Sequence, residues 1–233
     1  MARFHCPGDI RATLSLDAGF TMLRQRLILL SFAALATAPL AAQEFAADKA
    51  KWPALPKSLP TGLVPISIET ALGTIEAVLD SAHAPVTVSN FLRYVDASLY
   101  EGARFHRTVT PANQPGSPVR IEVIQGSLAP ERAARRFAAI LLERTTVTGL
   151  HHSDGTLSVA RAGPDTGADE FFICIGNQPE LDFGGKRNPD GQGFAAFGQV
   201  TRGMDVVRRI QMSRANGQQL DPPVVILRIT RKR

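Results

Sequence analysis

The sequence predicts a mainly-β domain: a closed eight-stranded antiparallel β-barrel capped by two α-helices. Three observations lead there. About eight short segments alternate apolar and polar side chains, the period of a half-buried strand. Turn signals separate them at short, even intervals, which does not fit a βαβ alternation. Only two stretches carry a clear helical stripe, and closure is the arrangement that best removes unpaired strand edges.

Taken in order, "VPISIETALGTIEAVLD" (64–80) is a β-hairpin. Ile66, Ile68 and Thr70 alternate with Ser67 and Glu69, a turn follows at Leu72-Gly73, and alternation resumes through Ile75, Ala77 and Leu79. "HAPVTVSNFLRYVDASLY" (83–100) is a helix, with Pro85 in its first turn and Val88, Phe91, Leu92 and Val95 on one stripe. Short strands then follow: "RFHRTV" (104–109), "IEVIQG" (121–126), "LSVARA" (157–162), "FFICIG" (171–176) and "FAAFGQV" (194–200). A second helix, "MDVVRRIQMS", covers 204–213, and "PVVILRIT" (223–230) is the last strand. "ERAARRFAAILL" (131–142) reads as a third, shorter helix.

The N-terminal region has a different character. Residues 22–42 place Arg24 and Arg26 before an apolar run from Leu27 to about Ala38, with small residues at Ala41 and Ala42. That is the pattern of a secretory signal peptide, cut after Ala42, with a retained anchor as the rival reading. Residues 1–21 fit neither a signal nor a domain, which points to Met22 as the natural start. Residues 43–63, with Pro53, Pro56 and Pro60, form a proline-rich linker before a domain at 64–233.

Composition narrows the function. The 233 residues suffice for one good-sized domain with tails, and 44% hydrophobic with 20% charged residues suits a soluble core. The basic balance is modest: without residues 1–42 the chain holds 22 basic and 19 acidic residues, a net charge of +3. Only "RITRKR" at the C-terminus concentrates it, and two Tyr and one Trp leave few rings to stack on bases. A nucleic-acid partner is not expected. Beyond the signal, nothing suggests a membrane partner. Cys6 precedes the cleavage site, so the mature chain keeps Cys174 alone, without an internal disulfide, as a small core hydrophobe.

Several motifs fail on context. "GQGFAA" (191–196) follows no strand and opens no helix, so it is no dinucleotide site. "NPDGQG" carries one carboxylate, Asp190, too few for a calcium loop. His151, His152 and Asp154 cluster around Ser153, with His106 a distant candidate to join them, but without ligand spacing or a nucleophile elbow, so neither a metal site nor a serine hydrolase is expected.

What remains is an ordered set of segments: "FHR" (105–107), "VIQGS" (123–127), "DGTLSVARAGPDTGADEFFI" (154–173), "ELDF" (180–183) and "FGQVTRGMDVV" (197–207). Over roughly 64–230 this set resembles the cyclophilins, the barrel-shaped peptidyl-prolyl isomerases, and in particular their exported bacterial members. The resemblance implies an exported, periplasmic and monomeric isomerase of X–Pro bonds in unfolded or extended polypeptides, with no cofactor and no metal. It implies that Arg107 is the catalytic residue, on the strand face shared by Phe105 and Val109. Phe172 would wall the proline pocket, with Leu181 and Val123 lining it. Gln125 would orient the peptide and the arginine, and the main chain of Ala160, Arg161 and Ala162 would pair with substrate as an added strand does.

The chain departs from the family pattern near that site. Glu122 stands where a pocket phenylalanine is common, and Val123 replaces a methionine. Arg161 replaces an asparagine, Glu170 a glutamine and Glu180 a tryptophan. Phe194 stands near a usual ring-facing histidine. The connections at 108–124 and 182–193 are lengthened. Arg161 and Glu170 bring opposite charges to neighbouring segments and are expected to pair, keeping Glu170 away from Arg107. The altered pocket leaves a second reading, a peptide-binding or chaperone module on the same barrel without effective catalysis.

Overall fold

The structure, a computed structural model, describes residues 62–232. The upstream segment, the signal peptide and all but the last two residues of the linker lie outside the described residues. β1 (Leu63–Thr70) and β2 (Gly73–Asp80) form the expected hairpin, with Thr70 opposite Gly73. α1 (Pro85–Asp96) follows, then β3 (Arg104–Val109), β4 (Val123–Ser127), β5 (Thr156–Val159), β6 (Phe171–Cys174) and β7 (Ala195–Arg202). α2 (Met204–Gln211), β8 (Ala215–Asn216) and β9 (Gln219–Arg231) complete the chain.

The strand order β1-β2-β7-β5-β6-β4-β3-β9 closes through a β1–β9 pairing, so eight strands make a barrel in which every pair is antiparallel. Closure leaves none of the eight with an open edge. The two-residue β8 hangs on β9 as a small hairpin.

The main core holds Ile66, Ile68, Ile75 and Leu79 from the hairpin and Ile124, Phe171, Ile173 and Phe197 from later strands. α1 lays Val88, Phe91, Leu92 and Val95 on it, and α2 adds Val206, Val207 and Ile210. The Phe91 ring meets Phe171 edge-on at 5.4 Å and Phe197 at 5.2 Å.

Two helical expectations need correction. α1 stops at Asp96 rather than 100, because Ser98 turns the chain at φ 53 and Tyr100 leaves the helix to donate its hydroxyl to the Asp169 carbonyl. No helix forms over 131–142; Pro130–Arg135 makes a short 3₁₀ stretch and Arg136 is extended. Tertiary partners take that segment instead. Arg136 pairs with buried Asp169, the Phe137 N–H donates to the Tyr94 hydroxyl, and Ile140 bridges to Gly167.

Candidate active site

The site begins with a slip in β3. Phe105 stands opposite Gly126 and Arg107 opposite Gln125, so His106 is an extra residue in the ladder to β4, and the β9 ladder shifts at the same place. Such a bulge reverses the faces beyond it. Phe105 therefore enters the main core, its ring 5.8 Å from Phe171, while Arg107 and Val109 face the other way. The expected common face for Phe105 and Arg107 is thus corrected. Gly126 makes room for the bulge, since a Cβ there would stand 3.1 Å from the Phe105 ring.

On the outer face the ladder sets Arg107, Gln125, Phe172 and Ser158 in one row across β3, β4, β6 and β5. Alternation then gathers a second apolar cluster there: Val109, Val123, Phe172 and Cys174, joined by Ile121 and Leu181, with Ala160 and Phe194 packed against it. From this cluster Ile121, Val123, Ala160, Phe172, Leu181 and Phe194 line a cavity of about 310 Å³, at the small end for a ligand site. Its polar lining is Arg107, Gln125, Arg161, Arg187 and Asn188.

Two glutamines hold the guanidinium of Arg107. Its Nε and Nη2 donate to the Gln218 side-chain oxygen at 3.0 and 2.5 Å, and its Nη1 donates to that of Gln125 at 2.8 Å. Each terminal nitrogen keeps one further N–H. Gln218 is anchored in turn by donating to the Asn113 carbonyl, and Gln125 by donating to Glu170 Oε1 at 2.7 Å. A carboxylate only accepts, so Glu170 forces Gln125 to offer it the amide N–H and to turn its oxygen toward Arg107. Burial lowers the pKa of Arg107 while Glu170 raises it, and the guanidinium stays charged. Glu170 is held below the usual carboxylate range, first by the hydrogen bond from His106, against burial, and then by Gln125.

The expected pair of Arg161 with Glu170 does not form. Glu170 engages Gln125 and His106, whose Nε2 lies at 3.2 Å. Arg161 instead grips Asp190 through both terminal nitrogens at 2.7 and 2.9 Å and donates its Nε to the Gly193 carbonyl. Its side chain, 1% exposed, lies over the Phe194 ring at 5.1 Å. The lengthened loop brings Asp190 there. Gly193 (φ +66) lets the loop close, because a Cβ would lie 2.5 Å from the Asp182 backbone.

Behind the wall, Phe172 meets Phe194 edge-on at 5.3 Å and stacks on His152 at 6.0 Å. His152 bridges Asp182 (2.6 Å) and Ser158 (2.9 Å), a serine–histidine–aspartate chain. Ser158 is 0% exposed and His152 2%, so no substrate reaches that hydroxyl, and the chain serves as backing for the wall. His151 also bonds Asp182, and Asp154 pairs with Arg208, which separates the sequence cluster. Cys174 is buried in the apolar cluster beneath the floor, where burial pushes its thiol pKa up.

Of the residues singled out from sequence, Arg107, Val123, Gln125, Ala160, Arg161, Phe172, Leu181 and Phe194 line the cavity. Glu170 sits behind Gln125, and Ala162 lies outside the lining, its N–H donating to Thr166 Oγ1. Glu122 also stays out and accepts from Gln211, so Ile121 supplies the apolar surface there. Sequence reasoning missed Gln218, Ile121, Arg187 and Asn188. For Gln218 one signal existed: "NG" at 216–217 marks the tight hairpin that carries it.

The family model described as "Cyclophilin type peptidyl-prolyl cis-trans isomerase/CLD" matches residues 65–231. The chain is 33% identical over 168 residues to a peptidyl-prolyl cis-trans isomerase of Streptomyces antibioticus, covering 69% of this chain and 94% of the relative. Peptidyl-prolyl cis-trans isomerase A of Dickeya dadantii is 32% identical over 146 residues, 62% of this chain and 70% of that protein. The fold is similar to the crystal structure of a Cryptosporidium parvum cyclophilin-type isomerase, with a TM-score of 0.58 and 19% identity over 73% of this chain and 98% of that one.

Proposed function

This chain belongs to the cyclophilin-type peptidyl-prolyl cis-trans isomerase family, and from that premise we propose that Arg107 accelerates X–Pro rotation by stabilising the twisted amide. Unaided rotation meets a barrier of about 18–20 kcal/mol, because the planar amide is resonance-stabilised. No bond breaks and no proton has to move. The twisted state has lost conjugation and carries a localised lone pair on the prolyl nitrogen. A donor aimed at that lone pair binds the twisted state better than the planar one, which is what lowers a barrier. Stabilising it by about 5–7 kcal/mol would speed rotation roughly 10⁴- to 10⁵-fold.

The single observation that carries this reading is a guanidinium pinned at three N–H groups beside a cavity floored by apolar side chains, with donors left over on both terminal nitrogens. Val123, Phe172, Leu181 and Phe194 would hold the pyrrolidine ring. Peptide before the proline would lie along Ala160–Ala162. Among the described residues, the Arg161 N–H and the Ala160 carbonyl have no backbone hydrogen-bond partner there, so both are available to it. Glu170 and Gln218 act through Gln125 and Arg107 as positioning residues.

The substrates are unfolded or extended proline-containing polypeptides, and the enzyme works as a monomer without cofactor or metal and without a nucleic-acid partner. The basic-then-apolar stretch at 22–42 supports export to the periplasm, free of the membrane once the signal is removed. A protease-coupled proline isomerisation assay tests the reading. The parent accelerates the slow phase, and Arg107→Ala loses that acceleration while still binding peptide. A parent that binds peptide with no rate would favour the peptide-binding module instead.

A further inference from the structure

Besides Arg107 and the Asp190-bound Arg161, the cavity carries a third guanidinium that amide rotation does not use. Arg187 lies on the lengthened loop before β7 and lines the cavity. Its Nη1 donates to the Val119 carbonyl (2.8 Å), Gln114 Oε1 (3.1 Å) and Ser117 Oγ (3.2 Å), just ahead of Ile121 in the chain. Arg107 stands level with Gln125, four residues beyond Ile121 in the chain, and the two guanidinium groups are near enough for the charge of Arg107 to act on Arg187. Ile121 and Val123 of the apolar floor lie between these two attachment points along the chain.

We propose that Arg187 and Asn188 form a carboxylate subsite that selects substrates with an acidic side chain on the residue following the proline. The inference rests on the isomerase reading above. Three observations support it. Arg187 has no carboxylate in salt-bridge reach among the described residues, and no hydrogen-bond acceptor there engages its Nε or Nη2. Nearby acids are engaged elsewhere: Asp190 holds Arg161, and Glu180 accepts the Lys186 N–H. Asn188 Nδ2, in the same lining, is buried and lacks any hydrogen-bond partner. A buried donor without an acceptor is unfavourable, and because this one is closed to solvent as the fold stands, a ligand oxygen would reach it with a shift of the Asn188 side chain. Burial, helped by the charge of Arg107, also lowers the pKa of Arg187, so an incoming anion meets an uncompensated cation.

The direction follows from the groove. Residues before the proline run along Ala160–Ala162, where the one cation, Arg161, is already neutralised by Asp190. With proline on the floor, the next Cα would lie about 3.8 Å further on, and a glutamate side chain there would be the one placed to meet Arg187.

Exchange NMR on the chain with three blocked peptides tests this: Ala-Ala-Pro-Glu-Ala, Ala-Ala-Pro-Gln-Ala and Ala-Glu-Pro-Gln-Ala. The first should exceed the second in kcat/KM about five- to tenfold, while the third should gain nothing. Arg187→Gln should bring the ratio near one, and Arg187→Lys should keep part of it. If Arg187→Gln does not fold, the parent still answers, because raising the salt from about 0.01 to 1 M should shrink the ratio. Equal rates for the first two peptides, a preference for the acid before proline, or a preference that survives Arg187→Gln would overturn the subsite. Absence of rate on every peptide would sink the isomerase reading instead, and calorimetric titration of the first two peptides would then decide the subsite by itself.

Discussion

Gln218→Ala isolates the clamp on Arg107. The substitution removes the acceptor for two charge-assisted bonds, from Nε and Nη2, and leaves the Gln125 bond to Nη1 in place. Each such bond contributes about 1.5–3 kcal/mol in a protein interior, but water reaches a half-buried guanidinium and replaces part of that. The surviving Gln125 bond still tethers one nitrogen, while the plane becomes free to swing. We therefore expect about 1.5–2.5 kcal/mol added to the barrier, a roughly 10- to 70-fold fall in kcat/KM. Stability should change little, by about 1 kcal/mol or a Tm drop of about 2–4 °C, because the hairpin keeps its backbone bond from the Thr108 N–H to the Gln218 carbonyl. Coupled isomerisation kinetics and thermal unfolding on the same preparation measure both. An unchanged rate would refute the idea that this edge of the guanidinium must be held.

Two further predictions concern the groups around the clamp. Glu170→Gln lets residue 125 turn either way, so activity should fall by about fivefold, roughly 1 kcal/mol. The pKa of Glu170 is lowered in the fold, so its ordering effect is complete above its ordinary 4.5 and fades as pH drops through the lower folded value. The parent should lose activity on that acid limb and Glu170→Gln should not; identical limbs would contradict the role. Asp190, brought to about 2 chiefly by its bonds from Arg161, should fasten the loop 182–193 fully above about pH 4 and release it progressively down to pH 2. Asp190→Asn should raise amide exchange across that loop already at neutral pH, and unchanged protection would count against the tie.

Much of the fold was legible because hydrophobic period and turn chemistry are local. Both strands of the first hairpin, the Pro85 helix start and α2 follow from such signals. The composition of 131–142 favours a helix, but Tyr94 and Asp169, partners distant in sequence, compete for it. In β3 the residue types stood out while their facing did not, since a one-residue bulge leaves no mark on composition. Along the sequence Glu170 is the opposite charge on the segment neighbouring Arg161, but the loop that delivers Asp190 folds back over the arginine. Gln218 lies 111 positions from Arg107 in sequence, and only the β3–β9 register brings them together.

The most direct test of the account is the cis–trans interconversion rate of a saturating prolyl peptide on the protein, followed by exchange NMR for the parent and Arg107→Ala. With substrate bound throughout, the rate reports rotation itself. The account predicts a fall of about a thousandfold or more, with peptide affinity lowered by no more than about tenfold. A rate that persists without the guanidinium would contradict it.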